Sequence, residues 1–352
     1  MSPLPPGRIK RDLPDFVVEE LPAYEPSGTG EHLFVRLTKT DLTTLEAVRR
    51  ISRALSCDQR ETGFAGMKDR RGVTTQTLSF HAPRGVKADD LATRARALAL
   101  DGIVVHDATP HGHKMKPGHL AGNRFSILVR DVPTDRLDDV TAALDRITRE
   151  GVPNAFGSQR FGREKDNATR ALAWLRGDAE GPRDARMQRL LWSALQSQVF
   201  NEVLEARVQD GTWATALEGD LLKLRTSGGL FLCADVQTDR ARAATGEVSP
   251  TGPMVGLEMR WPEGSPAELE HRIVAATLGE GFDLARTRRL GEGTRRALRV
   301  WVQDLRWELT QDEPGHGRSS VRVYFVLPKG TYATTVLSAV FALDETPEPE
   351  GT

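Results

Sequence analysis

From His32 to Thr40 apolar and polar residues alternate, with Leu33, Val35 and Leu37 on one side, the two-residue period of a half-buried strand. The period then changes. Leu45, Val48, Ile51 and Leu55 recur at helical spacing, and Thr43 with Glu46 three residues later forms a capping-box pair, so a helix is expected to start there. Val73–Phe80 is β-branched and reads as a strand, Lys87–Leu100 as a helix closed by Asp101-Gly102, and Ile103–His106 and Phe125–Val129 as strands. Thr134 opens a further helix with Leu137, Val140, Leu144 and Ile147 on one face, ended by Gly151. This order of strands and helices is an α+β layer pattern.

The second half is less regular. Arg186–Gln209 reads as a long helix whose apolar face is interrupted by Ser193, Gln196, Ser197, Gln198 and Asn201. Buried polar groups need partners, so this helix is expected to pack on another backbone or on an RNA-facing wall. Gly219–Val236 reads as a small β unit and Ser249–Pro253 as a turn. Arg286–Val300 is the densest basic run, either a solvated helix face or a phosphate-tracking surface. Val321, Val323 and Phe325 alternate through a strand, Leu327–Thr335 turns into a last helix, and the tail Thr346–Thr352 is expected to be disordered.

The chain has 352 residues, enough for two domains or for one large domain with an insertion. A net charge of −1 gives no support to nucleic-acid binding, so any basic surface must come from local clustering. Cys57 and Cys233, far apart, argue against a zinc site or a disulfide framework. No apolar run approaches a membrane span and the N-terminus has no hydrophobic signal region, so a cytoplasmic protein is expected.

The candidate chemistry centres on Gly63–Gln76. Three glycines, 63, 66 and 72, bracket the carboxylate of Asp69, which follows Lys68 and precedes Arg70 and Arg71. This reads as a bent loop running into a strand, with cations that favour an ionised acid. Such a carboxylate can act as nucleophile or base on a polyanion; a solvated hairpin tip is the plainer reading. Phe16 either fills the core or offers a ring for a base to stack on. Asn123 either caps a turn or pairs with a base edge. Arg160 and Arg163 are phosphate contacts or junction salt bridges. His111, His113 and His119 alternate with Lys114 and Lys116, which favours a basic or solvated loop over a metal site.

Ala65-Gly66-Met67-Lys68-Asp69-Arg70 with Thr74 and Gln76, then Gly122–Phe125, Pro153–Gly162, Ser193–Asn201 and Leu327–Thr334, resemble in order the tRNA pseudouridine synthase D (TruD) family. Asp15–Glu19 and Gly30–His32 fit as well. Ala155 departs from an aromatic position of the family, and Tyr332 stands where the family often has Phe. The resemblance implies an α+β catalytic domain of mixed or antiparallel sheet and flanking helices, formed by residues 1–156 and 305–352. An inserted TRUD-specific α/β domain would occupy 157–304. It implies isomerisation of a tRNA uridine, typically uridine 13, to pseudouridine. The C1′–N1 bond is cut, the uracil turns, and C5 joins C1′ with no cofactor and no metal. Asp69 takes the place of the essential aspartate, as nucleophile or base. Phe16, Asn123 and Tyr332 fall at uridine-pocket positions, with Lys68 and Arg160 as further substrate contacts. The partner is a tRNA presenting a flipped uridine, with no membrane and no obligate protein partner. The rival readings are an RNA-binding or RNA-chaperone protein without chemistry, which would need no acid at 69, and a metal-dependent phosphoesterase using the three histidines.

Overall fold

The structure is a computed structural model and describes residues 3–162, 164–311 and 317–345. The Arg163 candidate and the tail Thr346–Thr352 lie outside the described residues. The chain divides into two compact units, one built from Met1–Asp145, Val302–Ala333 and the segment from Val340 on, the other from Arg146–Trp301 and Thr334–Ala339. Among the described residues no helix is long and apolar enough to cross a membrane.

The first unit is organised on a mixed sheet. Its main path runs Gln303–Gln311, Arg318–Pro328, Leu120–Pro133, Phe16–Pro22, Val73–His81, His32–Thr40, Ile103–His111. Phe16–Pro22 is parallel to Val73–His81 and antiparallel to Leu120–Pro133. Of the strands beyond residue 302, Arg318–Pro328 returns to pair with Leu120–Pro133, so Asn123 lies opposite Leu327 on one side and Glu20 on the other.

Helices Thr44–Leu55 and Ala88–Arg96 cover one face, and their apolar residues join Leu33, Val35, Leu37, Leu78 and Phe80 in a buried cluster. The Thr43–Glu46 capping box forms in both directions. The expected stripe needs one correction. Leu45 is 54% exposed, and the buried face is carried by Thr44, Ala47, Val48, Ile51, Ser52 and Leu55. Position 44 is seven residues before Ile51, two helical turns; position 45 lies about 100° round the helix. The Ile103 strand continues to His111. Its later residues read as loop because Asp107, Thr109, Pro110 and His111 break the apolar alternation, although Ala108, Pro110 and His111 are buried.

In the second unit the Ala185–Gln209 helix packs against Asn167–Arg176 and Gly264–Leu278. Its polar interruptions meet backbone groups and the side chains of Arg160 and Glu202. Asn201 bonds both the N–H and the C=O of Phe156, and Gln196 donates to Val255 O. Ser249–Pro253, expected to be a turn, lies inside the strand Val248–Met254, buried at every position. The strand changes partner midway. Residues 248–250 pair with Leu221–Leu224 and residues 251–254 with Thr294–Ala297. Each half thus has one edge that needs no donor, and proline is tolerated there.

The Arg286–Val300 run is neither a helix nor an open phosphate track. Arg295 is buried and bonds both carboxylate oxygens of Glu270 at 2.6 and 2.7 Å. Arg299 is buried against the carbonyls of Ala214 and Ala243, and burial lowers its pKa to about 10. Arg296 lies 4.1 Å over the Phe156 ring. A second buried pair, Arg207–Asp220 at 2.9 Å, ends the long helix.

Removing one partner of a buried pair leaves an uncompensated charge. Glu270→Ala is therefore expected to cost about 3–5 kcal/mol, read as a fall in the urea midpoint; a change within experimental error would show that Arg295 reaches water.

Candidate active site

The Asp69 loop is held from below, and its glycines explain part of its shape. A Cβ on Gly72 would meet Phe16 O at 2.5 Å, at a φ of +151° that side chains rarely adopt. On Gly63 a Cβ would meet Met115 O at 2.2 Å, so close approach is the constraint there. Gly66 has neither constraint, against the expectation that all three glycines serve the bend.

The Asp69 side chain is 42% exposed, and its Oδ2 lies 3.7 Å from Lys10 Nζ. The expectation that Lys68, Arg70 or Arg71 supplies the charge at this carboxylate is corrected by their partners. Lys68 turns inward and its buried ammonium pairs with buried Glu20 at 2.7 Å. It holds the loop and does not offer a cation at its surface. Arg70 reaches Asp41 at 3.3 Å, and Arg71 donates to the carbonyls of Lys10 and Arg11 at 2.7 and 2.8 Å. The Lys68 N–H donates to Thr44 Oγ1, which donates to Gln76 Oε1. Lys39, fully buried, donates to Asp69 O at 2.7 Å and Leu42 O at 2.5 Å.

Lys10 joins two of the candidates. Its backbone is left-handed at φ +57°, an uncommon conformation for a residue with a side chain. Its ammonium sits 4.5 Å from the centroid of the Phe16 ring as well as beside Asp69. Phe16 is 3% exposed, so it is a buried ring capped by a cation and not an open platform. Asn123 stands opposite Glu20, the residue that grips Lys68; its Oδ1 is buried with no hydrogen-bond partner among the described residues. Tyr332 is 48% exposed, in the turn after Arg318–Pro328, and nearby Lys329 donates to Gly118 O. Arg160 belongs to the second unit, where Nε bonds Ser197 at 3.1 Å and Nη2 bonds Ser193. A cavity of about 840 Å³ opens in the first unit, lined by Glu19, Arg124, Phe125, Arg306, Tyr324 and Phe325 among others.

Lys10, Lys39 and Glu20 are site residues the sequence reading missed. For two of them the signal was present. Leu33, Val35 and Leu37 share their parity with Lys39, and Phe16 and Val18 share theirs with Glu20, so both charges fall in inward-facing rows. Lys10 carries no such mark.

The histidine loop does not form a ligand set. Ser27 N–H donates to His111 Nδ1 at 3.0 Å, so the proton of neutral His111 is on Nε2. That Nε2 lies 3.2 Å from His113 Nε2, which must accept, leaving His113 Nδ1 to donate toward Lys114 O. A metal on His111 Nε2 would displace the proton that this arrangement requires. His119 Nδ1 is taken by the Tyr24 hydroxyl at 2.7 Å. Burial, and secondarily His113, lower the His111 pKa, which favours this neutral chain. Among the described residues no group of three or more His, Cys, Asp or Glu is placed to hold a metal ion.

Residues 5–182 and 178–340 match the family model described as tRNA pseudouridine synthase D (TruD). A protein of that name from Anaeromyxobacter sp. (strain Fw109-5) is 42% identical over 94% of this chain and 91% of its own length. Another, from Anaeromyxobacter dehalogenans (strain 2CP-C), is 40% identical over 98% and 96%. A crystal structure of a Methanosarcina mazei chain assigned to the same name matches the fold with a TM-score of 0.77 at 24% identity, over 96% of this chain and 93% of that one. The chain belongs to the tRNA pseudouridine synthase D (TruD) family of isomerases.

Proposed function

We propose that this chain converts a uridine of tRNA, uridine 13 by family likeness, to pseudouridine, with Asp69 as the reacting carboxylate, attacking the sugar or taking a proton from it. The observation that carries the reading is a half-exposed acid on a loop clamped by buried charges, 3.7 Å from the ammonium of Lys10. One carboxylate suffices where glycosidases normally use two, because uracil leaves as a stabilised anion and stays bound. The reaction is redox-neutral and transfers no group from outside, so the residues present supply its chemistry.

The remaining roles follow from chemistry and exposure. Asn123, with an unpaired buried Oδ1, is assigned to the uracil edge, since an amide both accepts from and donates to that edge. Tyr332 is the open ring on which the flipped base stacks, and Phe16 is the floor beneath Lys10. Stacking returns about 1–3 kcal/mol per base, against an unstacking cost of about a few kcal/mol. Arg160 keeps Nη1 for a phosphate, and Arg306, over the Tyr324 ring, with Arg124, paired to Glu19, lines the cavity assigned to the flanking RNA. We assign the catalytic domain to 1–156 with 305–352 and the inserted domain to 157–304; the two compact units support a discontinuous first domain but not these bounds, since 146–156 and Thr334–Ala339 fall in the second unit and 302–304 in the first. With a tRNA substrate, we assign the protein to the cytoplasm.

Asp69→Asn is expected to abolish pseudouridine formation on a tRNA transcript while RNA affinity is kept; near-normal turnover would remove Asp69 from the mechanism. Lys10→Met should lower kcat by about 100–1,000-fold, the scale of one lost electrostatic contact, with an unchanged RNA Kd. Unaltered kcat would reduce Lys10 to a packing role. The two rings should separate. Phe16→Ala should cost about 3–5 kcal/mol of stability, as buried Phe truncations do. Tyr332→Ala should leave stability within about 0.5 kcal/mol, as exposed substitutions do, yet slow turnover. Equal thermal losses in the two variants would place both rings in the core.

A further inference from the structure

Lys39 has no exposed surface, yet it carries an ammonium group. It lies near the end of the His32–Thr40 strand, opposite Thr74 on one side and Ile103 on the other, neither of which bears a charge. Its Nζ donates to Asp69 O and Leu42 O, at 2.7 and 2.5 Å. The charged groups acting on it are Asp69 and Lys68 from the loop and Glu46 from the Thr44–Leu55 helix. Lys68 is itself paired with Glu20 on Phe16–Pro22, on the far side of Val73–His81 from the Lys39 strand. Two carbonyl oxygens could be satisfied by any neutral donor. A buried ammonium loses its water shell, and that penalty is not needed merely to close a turn.

We propose that Lys39 is a positioning residue for the isomerisation, acting through Asp69: its buried ammonium fixes the Asp69 peptide and keeps a positive charge beneath the loop, and turnover depends on that charge as well as on the two hydrogen bonds. This rests on the assignment of Asp69 as the reacting carboxylate. The charge and the bonds are separable. A neutral amine keeps two N–H donors, enough for both carbonyls, so deprotonation removes the charge and spares the geometry. Burial, then Lys68, lowers the Lys39 pKa to about 8, while Asp69 and Glu46 oppose the fall. The group is therefore charged below that value, and its charge is lost as pH rises through it.

The test is kcat at saturating tRNA transcript from about pH 6.5 to about pH 9.5, which isolates groups titrating in the bound complex. Wild type is expected to lose turnover with a midpoint near 8. Lys39→Met, similar in length and uncharged, should have a kcat about 10–100-fold lower near neutrality, the scale expected when a reacting group loses its placement. Its profile should lack the basic limb, with RNA Kd unchanged. Lys39→Arg, charged throughout, should recover part of kcat and also lack the limb. A Lys39→Met enzyme within about three-fold of wild-type kcat would overturn the proposal, because no transition-state interaction would then have been lost. So would the same limb in all three proteins, which would assign it to the uridine or to another group. If the Met variant fails to fold, as circular dichroism would show, the wild-type profile decides: a flat line across the range overturns the proposal. Asp69→Asn is assayed in parallel. An active Asp69→Asn removes the shared premise, whereas an inactive Asp69→Asn beside an unimpaired Lys39→Met removes the Lys39 role alone.

Discussion

An ammonium group taken out of water stays charged only where carbonyls or carboxylates replace its hydration. Two lysines beneath the Asp69 loop meet this constraint differently. Lys68 is matched by the buried carboxylate of Glu20, and Lys39 by two backbone oxygens. Glu20 lies on Phe16–Pro22 and Lys39 on His32–Thr40, the two strands that flank Val73–His81, into which the loop runs. The loop is thus tied to three adjacent strands. Moving Asp69 would break contacts made by buried charges, the kind most costly to leave unsatisfied. Exposure of one carboxylate and burial of the charges around it are parts of one arrangement, and the preorganisation that catalysis needs follows from the fold.

The second unit uses arginine for a different purpose. Arg207 and Arg295 are enclosed with Asp220 and Glu270, and Arg299 is held by carbonyls. Arginine suits such places because its planar fork keeps its proton and satisfies two acceptors at once. A dense basic run is therefore not evidence of a nucleic-acid surface by itself. Of the six arginines between 286 and 299, Arg288 and Arg289 are exposed and make no side-chain bond among the described residues, and Arg286, though exposed, bonds Leu175 O. The net charge of −1 agrees with a chain whose cations are largely spent on its own acids and carbonyls.

Local signals were legible in the sequence where one element decides them. The Thr43–Glu46 cap, the inward row Leu33-Val35-Leu37 and the turn to a helix near residue 134 depend on neighbours in the chain, and the structure reproduces them. Signals that need a distant partner were misread. Ser249–Pro253 looks like a turn because two prolines and a glycine sit together. It is a strand only because Leu221–Leu224 and Thr294–Ala297 divide its edges between them. The surroundings of Asp69 failed in the same way. Adjacent Lys68, Arg70 and Arg71 suggested its electrostatics, but adjacency in a bent loop sends side chains in different directions, and the nearby cation comes from Lys10. Lys39 and Glu20 could have been found, since a charge at an inward parity position contradicts the row it belongs to. Such a conflict between pattern and residue tends to mark a functional place.

Lys10 then limits how the site can receive a base. An ammonium that covers one face of the ring and stays 3.7 Å from the carboxylate closes that face to a pyrimidine, and burial closes the other. Stacking a uracil on Phe16 would require the cation to swing away, losing a contact worth about 0.5–2 kcal/mol. It would also uncover a ring packed at 3% exposure. Leaving Lys10 in place avoids both losses. Phe16 then steadies the Lys10 ammonium beside Asp69, and under the proposed assignment the base would take its stacking partner from the exposed ring of Tyr332. In that arrangement the aromatic beneath the site serves the electrostatics of the acid, and the acid's cation is fixed by a ring and by a left-handed backbone at residue 10, neither of which titrates. The field at Asp69 is then set by the ammonium of Lys10 at its side, held by the ring and the backbone, and by the buried ammonium of Lys39 below.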